Sequence, residues 1–144
     1  MDALSTVNGL DGRVVLHRDE WGIPHAQATT WHDAFFAQGY AQAQDRLGQL
    51  EYERRRALGC WAAVAGKAAV GFDRFARRAD LAGAARREYA GLDATSQRVL
   101  AAYTAGVNAW LATGAAPPPD LALAGVTPDP WEPWHCCAAF LGRH

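Results

Sequence analysis

Serine occurs only at Ser5 and Ser96, and neither lies in a G-x-S-x-G nucleophile elbow. A self-contained serine-based site needs a nucleophile, a base and oxyanion donors. Ser5 falls in a terminal stretch and Ser96 in the first turn of a helical pattern, where solvation and capping are the ordinary roles. Cysteine is also scarce. Cys60, Cys136 and Cys137 are odd in number and two are adjacent, which excludes a disulfide framework. No C-x-x-C or His-rich ligand spacing occurs, so no metal is assigned to these residues. P-loop and dinucleotide fingerprints are missing. No apolar run approaches the length that spans a bilayer, so no membrane partner is expected. The opening MDALSTVNGL has an acid at position 2 and neither a basic nor an apolar leader region. It is not a secretory signal, which favours a cytoplasmic over a periplasmic or secreted setting unless the natural start is missing. The formal net charge of −1 gives no reason to expect nucleic acid.

What is present is globular. Half of the 144 residues are hydrophobic and six are Trp, enough for one domain burying roughly 68–70% of its unfolded surface. Residues 1–12 are expected to be a flexible tail and 13–144 the folded part. Arg54, Arg55, Arg56, Arg74, Arg77, Arg78, Arg86 and Arg87 interleave with Glu51, Glu53, Asp73, Asp80 and Glu88. That mixture predicts solvated helix faces with i,i+4 pairs.

Residues 13–18 (RVVLHR) read as a strand ending in a turn, and 23–28 (IPHAQA) as its return. Pro24 cannot donate to a ladder, which puts it at a strand start or edge. The hairpin has an open side and needs a sheet to join. A long helix follows, with Thr30 as N-cap, Asp33 three residues on and Gly59 as its stop. Gly39 and Gly48 inside it predict close approach of another backbone. Residues 60–66 either extend that helix or start another. Residues 73–92 have helical spacing, and Asp93 opens a third helix that Gly114 ends. Six of seven prolines lie between Pro117 and Pro133, so that stretch must run extended or turned. Residues 136–142 then open an apolar helix. Its uncovered face makes the terminus read as a cut within a fold.

His17, His25 and His32 could converge on such a path, but they lack the spacing of a helical metal pair, and a strand-edge hydrogen bond is the plainer role. Asp19 and Glu20 face opposite ways as strand neighbours and cannot act as a pair. Free cysteines are ordinarily small buried apolar residues. No complete catalytic site emerges, and no catalytic residue is assigned.

Four motifs carry a resemblance. The first is Arg18, Asp19, Gly22, Pro24 and His25. The second is Gly39, Tyr40, Ala43, Gln44, Asp45, Arg46, Leu47 and Gln49, ending in Arg54 and Arg55. The third is Ala105, Gly106, Asn108, Ala109 and Trp110, and the fourth Pro128, Trp131 and Pro133. In order and spacing, from about Val14 to Gly142, the chain resembles the N-terminal portion of the penicillin acylase (penicillin amidase) family.

The resemblance implies an α+β fold: a mostly helical piece with an N-terminal hairpin, belonging to the αββα sandwich of an N-terminal-nucleophile hydrolase. It implies a precursor that cuts itself into a short α and a long β subunit. It also implies hydrolysis of a carbon–nitrogen bond in a linear amide, removing an acyl group from a small molecule. β-Lactams, acyl-homoserine lactones and lipopeptides are the candidate substrates. The nucleophile would be the serine at the start of the β subunit, a partner absent from this chain, so the chain alone should be inactive. The family's calcium, where the complete enzyme holds it, takes its ligands outside this chain. Phe140 and His144 fall where the family begins its pocket-bordering helix, which makes them candidates for the pocket edge. Arg18, Asp19, Gln44, Asp45 and Arg46 are expected in buried polar pairs that hold subunits in register. The alternative is a non-catalytic helical interaction module or a degenerate remnant.

Overall fold

The chain reverses after Arg18 because Gly22 takes a left-handed backbone (φ 77°) that glycine enters without steric cost. The Gly22 N–H donates to the Asp19 carbonyl (3.0 Å) and the Asp19 N–H to that of Ile23 (3.2 Å). β1 (Val15–Arg18) and β2 (Pro24–Gln27) then pair antiparallel, His17 opposite His25 and Arg18 opposite Pro24. In this computed structural model, residues 7–143 are described. The strands are shorter than 13–18 and 23–28, and β2 starts on its proline as expected. Apart from half-buried Leu16, every strand residue is exposed.

α1 (Trp31–Ala57) begins at Thr30, whose hydroxyl accepts the Asp33 N–H at 3.1 Å. Its last turn carries Arg54, Arg55 and Arg56, the favourable sign for the negative end of the dipole. Arg46 leaves helical geometry (φ −137°, ψ 28°) and kinks the rod. Gly59 (φ 67°) ends the run. Residues 60–66 start anew: α2 (Ala62–Ala65) is followed by a 3₁₀ turn at Gly66–Ala69.

Residues 73–92 predict one helix, but the chain forms two, α3 (Val70–Arg78) and α4 (Leu81–Gly91). Asp80 sits between them at φ 51°, ψ 46°, and its carboxylate accepts the Gly83 N–H at 3.1 Å. Aspartate is one of the few side chains that tolerate this conformation, and here it breaks one helix and caps the next. α5 (Ala94–Ala112) opens on Asp93, which accepts the amides of Thr95 (2.8 Å) and Ser96 (3.1 Å). The proline-rich stretch contains a short helix, α6 (Pro119–Leu123). Proline suits a first helical turn because that N–H has no intrahelical partner. α7 (Trp134–Leu141) starts two residues before the expected 136.

α1 and α5 touch backbone to backbone. A Cβ at Gly39 would overlap the Tyr103 carbonyl, and one at Gly106 would overlap that of Phe36. Gly39 thus does what its place predicts. Gly48 does not, because its neighbour is the Asp120 side-chain carboxylate rather than a backbone. Among the described residues, part of the buried apolar core gathers in two clusters. One gathers Ala43, Val107 and Trp131; the other gathers Ala57, Ala85, Trp134, Cys137 and Ala138.

The solvated-face expectation fails at three charged residues. Glu51, Arg54 and Asp73 are buried. Asp73 accepts the amides of Trp61 (3.1 Å) and Ala62 (2.7 Å), binding α3 to the start of α2. The pair between Arg87 and Asp80 (3.1 Å) is exposed, as the charge pattern predicts.

Candidate functional site

The hairpin is fixed on α1 by one side chain. Arg18 donates Nη1 to Asp45 Oδ2 (2.9 Å) and Nη2 to Asp45 Oδ1 (2.7 Å), the two-pronged fit that guanidinium and carboxylate share. The same guanidinium reaches Gln44 Oε1 (2.8 Å) and the Gly22 carbonyl (2.9 Å). Asp19 shapes the turn itself: its Oδ1 accepts the amides of Trp21 and Ile23, both at 2.9 Å. His25 Nε2 lies 3.0 Å from Asp19 Oδ2, and this hydrogen bond first, then the turn amides, holds the Asp19 carboxyl below its ordinary range. His17 stacks on His25 with ring centroids 5.1 Å apart. Arg18, Asp19, Gly22, Gln44, Asp45 and His25 therefore form one unit. Within this chain the Arg18–Asp45 pair is half-exposed rather than buried.

The other motifs continue the chain of contacts. Gly39 brings α1 against Tyr103, and Tyr40 packs edge-to-face on Trp110 at 5.5 Å. Asn108, two residues after Gly106, grips the fourth motif in both directions: its Nδ2 donates to the Trp131 carbonyl (2.8 Å) and its Oδ1 accepts the Trp131 N–H (2.7 Å). Trp131 Nε1 donates to Glu51 (3.0 Å). Arg54 pairs with Glu51 at 2.8 Å and donates to the carbonyls of Asp129 (3.1 Å) and Pro130 (3.3 Å). Buried charges need this degree of satisfaction to be tolerated. Glu51 and Trp131's indole bond lie outside the sequence-derived candidates. The i,i+3 spacing of Glu51 and Arg54 was their only signal, and it is shared by any solvated helix.

A groove of about 360 Å³ runs between α1, α5 and α7. Phe140 lines it and is 60% exposed; Arg46, Tyr103, Glu53, Cys136 and Arg143 line it too. His144 lies outside the described residues. Arg46 also borders a second groove, between α1 and the hairpin near Pro24 and Asp45.

Among the described residues no hydroxyl or thiol is activated as a nucleophile, and Ser5 lies outside them. Ser96 Oγ donates to Asp93 Oδ2 at 2.6 Å and serves the cap. Burial pushes the Cys136 thiol up to about 11 and raises those of Cys60 and Cys137, whereas a reactive thiol needs the opposite shift. Asp11, His32 and Asp33 bring three ligand atoms within 4.8 Å of one another. They do not fit calcium, which takes six to eight oxygens. Buried Asp33 already accepts the amides of Asp11 (2.8 Å) and Gly12 (3.0 Å) and faces His32 Nδ1 (3.1 Å). Burial alone would raise its carboxyl, but those hydrogen bonds outweigh it and lower it. The cluster pins residues 11 and 12 to α1. His32 belongs there, away from His17 and His25.

Among the described residues no helix is long and apolar enough to cross a membrane. Residues 13–142 match the family model described as penicillin amidase. The chain is 45% identical over 133 residues to penicillin acylase 2 proenzyme of Pseudomonas sp. (strain SE83), covering 92% of this chain and 17% of that protein. It is 40% identical to penicillin G acylase of Escherichia coli, covering 87% of this chain and 15% of that protein. Identity to the acyl-homoserine lactone acylase QuiP of Pseudomonas aeruginosa is 38%, over 88% of this chain and 16% of the relative. Among solved structures, the thermostable penicillin G acylase from Alcaligenes faecalis superposes with a TM-score of 0.79 at 27% identity, covering 91% of this chain and 71% of that one. The chain thus spans about one sixth of the curated relatives it matches.

Proposed function

The chain belongs to the penicillin amidase family, and on that premise we propose that it is the α-subunit, or N-terminal portion, of an acylase. The reaction is hydrolysis of a linear amide that links an acyl group to a small amine. The substrate we favour is an N-acylated β-lactam, from the names of the relatives at 45% and 40% identity. The nucleophile is a serine at the start of a β-subunit, polypeptide beyond these 144 residues. Its own α-amine, with a pKa near 8, serves as base through a water. This chain supplies walls and alignment.

The observation that carries the reading is the hairpin. Two four-residue strands, almost wholly exposed, are nonetheless fixed to α1 by three hydrogen bonds from Arg18, two to Asp45 and one to Gln44, while a fourth closes on the Gly22 carbonyl within the hairpin. An isolated two-stranded ribbon is marginal in water, and its open edges are templates for further strands. A rigidly held ribbon with bare faces suits a sheet completed by another segment. Coverage agrees: the matched region is 71% of a solved penicillin G acylase chain but 17% of a proenzyme, so the fold occurs in a polypeptide much shorter than the precursors.

The test is co-expression with a second segment that begins in a free serine, assayed on a series of N-acyl anilines. Acyl release is expected with the free serine and none once its α-amine is acetylated. Equal turnover with the blocked amine contradicts the reading.

A further inference from the structure

Glu53 stands on the wall of the groove between α1, α5 and α7 with only half of its carboxylate used. Oε1 lies 3.2 Å from Arg143 Nε. Oε2 is closed to solvent and takes no donor among the described residues. A buried acceptor without a donor forfeits the hydrogen bond it had in water, and native structures contain few of them. The Glu53 side chain is 12% exposed, whereas that of Arg143 is 55% exposed and can swing aside. The remainder of the groove is largely apolar, with Leu50, Leu100 and Phe140 along it.

From this geometry we propose that the groove is a docking slot for a segment of the remaining precursor polypeptide, one that brings a neutral hydrogen-bond donor to Glu53 Oε2. The inference rests on the α-subunit reading and adds to it the place and the chemistry of one contact. The groove's charge decides the donor. Arg46 and Arg143 line it against the single carboxylate of Glu53, so a third cation would be repelled. A backbone N–H, a side-chain amide, a hydroxyl or an indole N–H meets the oxygen without that penalty. The apolar wall calls for apolar side chains beside the donor. The supply of polypeptide is ample, since the matched region is 17% of the proenzyme relative.

The experiment titrates the serine-led segment into the chain and reads the dissociation constant, with far-ultraviolet circular dichroism of each saturated complex as the check on folding. Glu53→Leu removes the acceptor and leaves the incoming donor buried and unpaired, so the dissociation constant should rise about tenfold or more. Glu53→Met, which is close in length and volume and carries no oxygen acceptor, should weaken binding too; it keeps the test decisive where Glu53→Leu does not fold. Arg143→Ala removes the ion pair and leaves Oε2 intact, and binding should stay within about threefold. Wild-type affinity for the Glu53 variants, or an Arg143→Ala loss as large as theirs, overturns the docking slot alone. Binding of a small amine or amide in the groove in competition with the segment overturns the choice of occupant. Failure of the wild-type chain to capture the segment overturns this inference together with the α-subunit reading.

Discussion

Arg18 and Asp45 meet through two parallel hydrogen bonds, at 2.9 and 2.7 Å, across 27 positions of sequence. They tie the hairpin to the middle of α1, one residue before the kink at Arg46. Asp45 is held in place by the helix, so the orientation of the whole ribbon depends on the planar fork of one guanidinium.

Arg18→Lys keeps the charge and loses the fork. The pair is half-exposed, so global stability should fall by about 1 kcal/mol or less. Amides of residues 15–18 and 24–27 should exchange with deuterium several-fold faster, read by mass spectrometry. Unchanged exchange would show that something else orients the hairpin.

The α1–α5 contact admits no side chain at its two glycines. Gly39→Ala and Gly106→Ala push a methyl group into the carbonyls of Tyr103 and Phe36 and should each cost about 1–3 kcal/mol in denaturant unfolding. Gly71, in α3, has nothing within 4 Å of its Cβ position. Gly71→Ala should therefore stabilise by about 0.5–1 kcal/mol. The sign of the difference is the check.

Glu51 neutralises buried Arg54 and also accepts the indole of Trp131. Glu51→Ala leaves that guanidinium buried without its partner and should cost about 3–5 kcal/mol. A double-mutant cycle with Trp131→Phe should show coupling between the two positions.

His135 gives the chain a pH dependence. Burial first, and Arg54 second, depress it from 6.5 to about 4, with Glu132 opposing. Its Nδ1 accepts the Glu132 N–H at 2.9 Å, which requires that nitrogen to be unprotonated. A depressed folded pKa means that the unfolded chain binds the proton more readily. The contribution is whole above about pH 6.5 and is lost as pH falls towards 4. Melting temperature should drop across that window, ahead of the lowered carboxyls of Asp19, Asp33 and Asp93. His135→Asn, which keeps an acceptor, should flatten the drop.

Local signals carried well wherever one residue settles the conformation. Gly22 and Pro24 mark the hairpin, Thr30 and Asp93 start helices, and Gly59 ends one. The motifs proved to be one contact chain, from Arg18 to Asp45, Gly39 to Tyr103, and Asn108 to Trp131. What escaped depends on partners distant in sequence. Nothing local reveals that Glu51 meets an indole 80 positions away, so its face looked solvated. Asp80 resembles any helix-surface acid until its left-handed backbone is seen. The proline run conceals α6 because proline at a first turn and proline in a loop have the same composition.

The most direct measurement is turnover by this chain alone, purified and given a series of N-acyl amines. If its residues only shape and align a site completed elsewhere, acyl release should stay at the buffer rate, and adding the serine-led segment should start it. Sustained hydrolysis by the unaccompanied chain would contradict the account at its root.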